Sequence, residues 1–301
     1  MSEQQKVQLD ATLRQAPIDL RDDLARVRAG FDKAMTRRLV ADDIRRSEIA
    51  VGRVGALEVA VEGADSANVI LYFHGGVYVN GSAIGSVPLA ADLARRTGAA
   101  VVSVDYRLAP EYPYPAALED AQDAYAGLLE RGIEPGNIAV SGESAGGGLA
   151  VALLLALQDF ETPLPSSAYL MSPYVDLTLS GSTIIDKQQL DPTLTGDGLR
   201  LRVADYAGTT DPSNPYFSPV FGDLRGLPPL LIQVGSHEVL LSDAIRLAGW
   251  AAEADVATTL EVTPGVPHVF QAYASFLDEA DAALDRAAEF LKTHLSLPST
   301  S

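Results

Sequence analysis

The stretch Ser141-Gly142-Glu143-Ser144-Ala145-Gly146-Gly147-Gly148 decides how the rest of the chain is read. It holds Gly-x-Ser-x-Gly centred on Ser144. The apolar run Ile138–Val140 precedes it and the longer apolar run Ala145–Asp159 follows. Strand, tight turn and helix is the context in which such a serine becomes a nucleophile. The turn is so sharp that Cβ atoms beside the serine collide, so glycine is needed on both sides. Ser144 is thereby held on a strained backbone with its Oγ exposed. The helix N-terminus points free N–H groups at any negative charge that develops there. Taken alone, the same residues also fit a glycine-rich turn with a chance serine.

Working outward, short β runs alternate with longer helical runs from Arg53 onward. The strand candidates are Ala56–Val61, Val69–Phe73, Ala100–Val104, Ile138–Val140, Ala168–Met171, Leu230–Val234 and Thr258–Val262. Several are continuous apolar runs, as expected of parallel strands buried on both faces. The helical runs between them are Val87–Arg96, Ala116–Arg131, Ala145–Asp159, Ser242–Ala254 and Phe270–His294. This alternation predicts an α/β fold, a mostly parallel central sheet flanked by helices. Ahead of it, Leu20, Leu24, Val27 and Phe31 recur at helical spacing, and the charged run Arg37 to Arg46 is expected to finish a helical N-terminal segment. Leu177 to Arg225 offers no good strand and many Gly, Pro, Asp and Thr; a long insertion of that kind is usually functional, such as a lid.

A serine nucleophile needs a base, and histidine suits neutral pH best. The chain has four histidines. His74 precedes two glycines in Leu71-Tyr72-Phe73-His74-Gly75-Gly76-Val77 and is better placed to shape that loop. His294 falls on the last turn of a helix. His237 sits beside Glu238. His268 lies in Pro264-Gly265-Val266-Pro267-His268, between the last strand and the last helix, at a strand's carboxyl end, where chemistry sits in such sheets. His268 is therefore the expected base. Glu238 is on the loop after Leu230–Val234, and Asp243 lies about one helical turn further on. Strand-end geometry prefers Glu238 as the orienting acid, with Asp243 as the alternative. In the His-Gly-Gly loop, paired glycines let backbone N–H groups turn toward a ligand; a hairpin-type turn is the plainer reading of the same residues.

Lys plus Arg number 22 and Asp plus Glu 40, a net charge of −18, which repels phosphate backbones and anionic lipid and argues against nucleic-acid or membrane-surface partners. There is no cysteine, so disulfides, thiolate metal sites and a cysteine nucleophile are excluded together, and a reducing cytoplasm is expected. MSEQQKVQLD has no apolar core of a secretory signal. The uncharged stretch Ser144 to Gln158 is shorter than the ~20 residues a membrane-spanning helix needs.

The motifs resemble those of the bacterial hormone-sensitive-lipase-like esterases of the α/β-hydrolase superfamily. That family carries a His-Gly-Gly-Gly loop, a Gly-Asp-Ser-Ala-Gly-Gly elbow and an Asp-Tyr-Arg-Leu-Ala-Pro-Glu segment, the last seen here at Asp105–Glu111 and followed by Tyr112-Pro113-Tyr114-Pro115. The resemblance runs from about Val69 to Phe270. It implies one α/β-hydrolase domain over residues 1–301 with a helical cap from about 1–50 and about 177–225. It implies Ser144, Glu238 and His268 as the catalytic triad, and Gly75 and Gly76 with the N–H of Ala145 as the oxyanion hole. The expected substrate is a small-molecule ester of short to medium acyl chain, with no metal and no cofactor. Members often pair through an edge strand, here Thr258–Val262, so a homodimer is one expectation.

Three departures stand out. Val77 replaces the third glycine, Glu143 replaces the aspartate before the nucleophile, and Glu238 stands where aspartate is usual. Lactone hydrolysis would use the same apparatus. A non-catalytic small-ligand receptor on this fold typically lacks one triad member, whereas this chain keeps all three. A dehalogenase or epoxide hydrolase would need a carboxylate at position 144. Tyr206, Tyr216 and Phe217 are the sequence's candidates for the cap lining.

Overall fold

The computed structural model describes residues 2–15, 17–35, 40–64 and 67–295. Arg37 and Arg38 of the expected helical segment, and the tail Leu297–Ser301, lie outside them. One eight-stranded sheet organises the chain: β1 (Ile44–Val51), β2 (Val54–Val61), β3 (Val69–Phe73), β4 (Ala100–Val104), β5 (Ile138–Glu143), β6 (Ser167–Met171), β7 (Leu230–Gly235) and β8 (Thr258–Thr263). The spatial order is β1-β2-β4-β3-β5-β6-β7-β8. β1 and β2 are antiparallel to each other, and β2 to β4. From β4 through β8 all neighbours are parallel. The order reverses on either side of β3, so the loops leaving the carboxyl ends of β3 and β5 open a crevice between them.

The strands alternate their residues between two apolar layers. Leu71, Phe73, Val102, Val140, Leu170 and Ile232 pack under α4 (Ala116–Glu130), α5 (Ala145–Asp159) and α8 (Leu241–Glu253). Ile70, Tyr72, Val101, Ala139, Tyr169 and Leu231 pack under α3 (Val87–Thr97) and α9 (Asp278–His294). Burial on both faces explains why these strands read as unbroken apolar runs.

Two expectations are corrected. Residues 44–46 do not finish a helix: they begin β1, which pairs with β2 from Ile44↔Val61 to Val51↔Val54 around a tight turn at Gly52 (φ 59). Arg45, Arg46 and Glu48 look like a helical solvent face but protect an edge strand from further pairing. The helical part of the N-terminal segment therefore ends before residue 44, short of 50. Second, Phe270–His294 is not one helix. A single 3-10 turn, Phe270–Tyr273, is followed by α9 starting at Asp278. Leu277 is extended and fully buried, which stops the first turn, and Asp278, Glu279 and Asp281 favour a fresh helix N-terminus there.

Four further helices, α1 (Ser2–Gln15), α2 (Leu24–Met35), α6 (Thr183–Asp186) and α7 (Gly196–Ala207), belong to the N-terminal segment and the 177–225 insertion. Leu9 of α1 docks among Val266, Phe270 and Leu277, and Lys6 pairs with Glu279 at 3.0 Å. In α2, Arg28 donates to the carbonyls of Val79 (2.8 Å) and Ala109 (2.9 Å) and pairs with Glu111. Buried Arg202 of α7 donates to the carbonyl of Leu20 at 2.8 Å, joining the insertion to the N-terminal segment. No helix among the described residues is long and apolar enough to cross a membrane.

Candidate active site

β5 runs into Ser144, which adopts φ 54 and ψ −121, and α5 begins at the next residue. A Cβ on Gly142 would lie 2.4 Å from the carbonyl of Gly146, and one on Gly146 would lie 1.9 Å from the carbonyl oxygen of Phe73. Glycine is therefore required at both positions by contact, as the sharpness of the turn predicts. Ser144 N–H donates to the Met171 carbonyl (2.9 Å), and its own carbonyl accepts from Tyr174 (2.9 Å) and Gly148 (3.1 Å). These three bonds hold the serine in its left-handed conformation.

The loop after β8 brings His268 beside the loop after β7. His268 Nδ1 lies 2.6 Å from Glu238 Oε2, and Glu238 is fully buried. The other carboxylate oxygen, Oε1, accepts from Gly235 N–H (2.7 Å) and from Ser172 Oγ (2.8 Å). Burial opposes a charge on His268, but the charge and hydrogen bond of Glu238, helped by Asp191 and Glu143, outweigh it and raise the imidazole pKa. Among the described residues the Asp243 carboxylate makes no hydrogen bond to this pair. Its Oδ2 accepts the backbone N–H groups of Val175 (3.0 Å) and Asp176 (2.9 Å), bracing the loop after β6. Burial, and then the charge of Asp176, push its carboxyl up to about 8.

His74 is buried, stacks on Tyr106 at 4.2 Å, and Nδ1 lies 2.8 Å from the Gly75 carbonyl. Burial pushes its pKa down to about 4, so the ring is neutral at pH 7. Tyr106 OH donates to the His74 carbonyl at 2.7 Å, so the Asp105–Glu111 segment braces the glycine loop. His294 bonds the Phe290 carbonyl within α9.

The glycine loop corrects one expectation. Gly75 N–H is not free to meet an oxyanion, because it donates to Glu143 Oε1 at 2.8 Å. Glu143 also accepts from Tyr72 OH. No hydrogen bond among the described residues uses the N–H of Gly76, Val77 or Ala145. Gly76 (φ 123) and Val77 (φ 48) carry the positive φ that turns the loop. The third-glycine position thus supplies a backbone donor even with a branched side chain on it.

Ser144, His268, Gly76 and Val77 share one cavity of about 200 Å³. Its far wall is apolar and comes from Leu13, Ile18, Phe31 and Met35 of the N-terminal segment and from Pro192 and Leu194 of the insertion. Tyr206, Tyr216 and Phe217 do not line it. Tyr206 stacks on Tyr78 (4.0 Å) and Phe217 (5.2 Å), and Tyr216 OH bonds Asp159, so these rings pack the insertion onto the sheet. The wall residues were missed because α1 has scarcely any apolar face and Pro192–Leu194 sits in an irregular loop.

Known proteins share this fold. Residues 70–272 match a family model described as alpha/beta hydrolase fold. The chain is similar to an acetyl-hydrolase of Streptomyces hygroscopicus, 45% identical over 74% of this chain and 75% of that one. It is similar to an esterase of Acinetobacter venetianus, 41% identical over 75% of each. Among solved structures it superposes on an esterase from the bacterial hormone-sensitive lipase family with TM-score 0.93 at 38% identity, covering 97% of this chain and 98% of that one. The chain belongs to this family of α/β hydrolases, the bacterial hormone-sensitive-lipase-like esterases, and is a carboxylesterase-type hydrolase.

Proposed function

We propose that the chain hydrolyses small esters of short to medium acyl length through an acyl-enzyme on Ser144. The observation that carries this is the shared cavity: a serine on a glycine-locked elbow, a Glu238-paired histidine and unused backbone donors all open on about 200 Å³ of apolar space. His268, neutral at Nε2, removes the Ser144 proton as Oγ attacks the acyl carbonyl. The N–H groups of Gly76, Val77 and Ala145 receive the oxyanion, a contribution of typically ~3–4 kcal/mol for one such donor. His268 then protonates the leaving alcohol, and water repeats the sequence to free the acid. Glu238 holds the imidazole tautomer and stabilises the imidazolium. No step calls on a metal or cofactor, and the cysteine-free composition fits a reducing cytoplasm.

The apolar wall across the cavity supports a limit on acyl length. Added methylenes favour binding by only ~0.8 kcal/mol each, and only until the cavity is full. The test is kcat/KM across p-nitrophenyl esters from C2 to C16, with simple lactones alongside. The maximum is expected at or below about C8, given a cavity that fills. A maximum at C12 or beyond overturns the size limit, and activity on lactones alone overturns the acyclic-ester reading.

A further inference from the structure

Serine and valine avoid the left-handed region of backbone space, where glycine is at ease. Two such residues face each other beside the acid and the base. Ser172, just past the end of β6, has φ 46, and Val269, directly after His268, has φ 50. Ser172 is fully buried, and its N–H donates to the Gln233 carbonyl at 2.7 Å. Its Oγ accepts the Val269 N–H at 3.0 Å. Its hydroxyl proton is directed at Glu238 Oε1, 2.8 Å away. The circuit closes on itself: Ser172 Oγ to Glu238, Glu238 to His268 Nδ1, His268 through its peptide to Val269 N–H, and back to Ser172 Oγ.

We infer that Ser172 is a positioning residue for the acid–base pair, its single hydroxyl fixing both the plane of the Glu238 carboxylate and the backbone that carries His268. This rests on the esterase reading above. Strained backbone persists where surrounding structure over-determines it, and here two strained residues meet through one hydrogen bond. A glycine at 172 would suit φ 46 better but would lack the oxygen. A serine at this place is a backbone cost retained for its hydroxyl.

Ser172→Gly therefore separates the two roles. It removes the hydroxyl while easing the backbone, so a purely structural serine would leave turnover intact. The expected result on p-nitrophenyl acetate is kcat lowered ~10- to 100-fold, in line with losses from misplaced catalytic groups, KM within a few-fold, and only a small change in Tm, the eased backbone offsetting part of the two lost hydrogen bonds. Without the hydroxyl, Glu238 presents a fuller charge to His268, so the acidic limb of kcat should move upward; Asp191 and Glu143, which also act on His268, are unchanged. Ser172→Ala should reproduce the kcat loss. Full turnover in Ser172→Gly, or a loss of Tm with kcat retained, overturns the inference. A second measurement needs neither variant nor substrate: in the wild type the Val269 amide should exchange as slowly as β-sheet amides, and rapid exchange would count against the bond. A wild type inactive on every ester would defeat the esterase reading while leaving the exchange result to stand.

Discussion

Glu143 Oε1 accepts the Gly75 backbone N–H at 2.8 Å, so the residue before Ser144 holds the loop whose Gly76 and Val77 N–H groups are proposed to receive the oxyanion. The two halves of the site, β3 loop and β5 elbow, are joined by this one carboxylate. Its extra methylene relative to aspartate is accommodated because Tyr72 OH, rising from β3, meets Oε2.

Glu143→Ala should therefore lower kcat on p-nitrophenyl acetate ~10- to 100-fold, less than the ~100- to 1000-fold of an oxyanion donor removed outright, because the loop is displaced and not lost. Glu143→Gln keeps an acceptor oxygen for Gly75 and should stay within a few-fold. Equal activity in all three proteins would show that the loop holds its shape unaided.

Ser144→Ala should remove ester turnover with little change in Tm, because the elbow depends on its glycines. Gly146→Ala should do the opposite in kind: a Cβ 1.9 Å from the Phe73 carbonyl oxygen cannot be accommodated, so soluble, folded protein should be lost. Expression yield and circular dichroism distinguish the two.

Glu238→Gln should lower kcat severely, toward the ~10⁴-fold seen when a triad carboxylate is amidated, with KM little altered. Asp243→Asn should leave kcat within a few-fold, because its oxygen is committed to Val175 and Asp176. Steady-state kinetics on both variants decide; a dead Asp243→Asn beside a normal Glu238→Gln would reassign the acid.

The pH dependence has a definite sign. A histidine acts as a base only when neutral, and the pKa of His268 is raised, so with His268 as the proposed base the acidic limb of kcat/KM should lie above the ~6.5 of free histidine. His74 has its folded pKa lowered to about 4, so the unfolded chain binds a proton that the fold refuses, and stability should fall as pH drops from ~6.5 toward 4. Asp243 is the reverse case. Its folded pKa is raised to about 8, so its contribution is fully present below ~4 and is lost as pH rises through 8. Urea midpoints at pH 5 and pH 8 for wild type and Asp243→Asn should show the variant gaining relative stability at the higher pH.

Much of this was legible in the residues. The elbow is a local device: Gly142, Ser144 and Gly146 lie within one turn, so spacing alone reveals it. The pairing of His268 with Glu238 could be anticipated because four histidines leave few choices. Ser172, by contrast, matters through Glu238 and Val269, residues 66 and 97 positions away, and no local pattern distinguishes it from any serine after a strand. The tie on Gly75 was hidden for a similar reason. Its N–H looks free in a His-Gly-Gly stretch, and only the reach of Glu143 across 68 residues takes it. β1 was misread because charges on an edge strand and on a helix surface look alike without knowing which side is paired.

The cavity's far wall has one more consequence. Leu13, Ile18, Phe31 and Met35 come from the first 35 residues, outside the 70–272 stretch that matches the family model. Part of the wall that bounds the cavity is thus supplied from outside the stretch that matches the family, and the rest by Pro192 and Leu194 within it. Substitutions in the opening helices would reshape that wall while leaving Ser144, Glu238 and His268 in place.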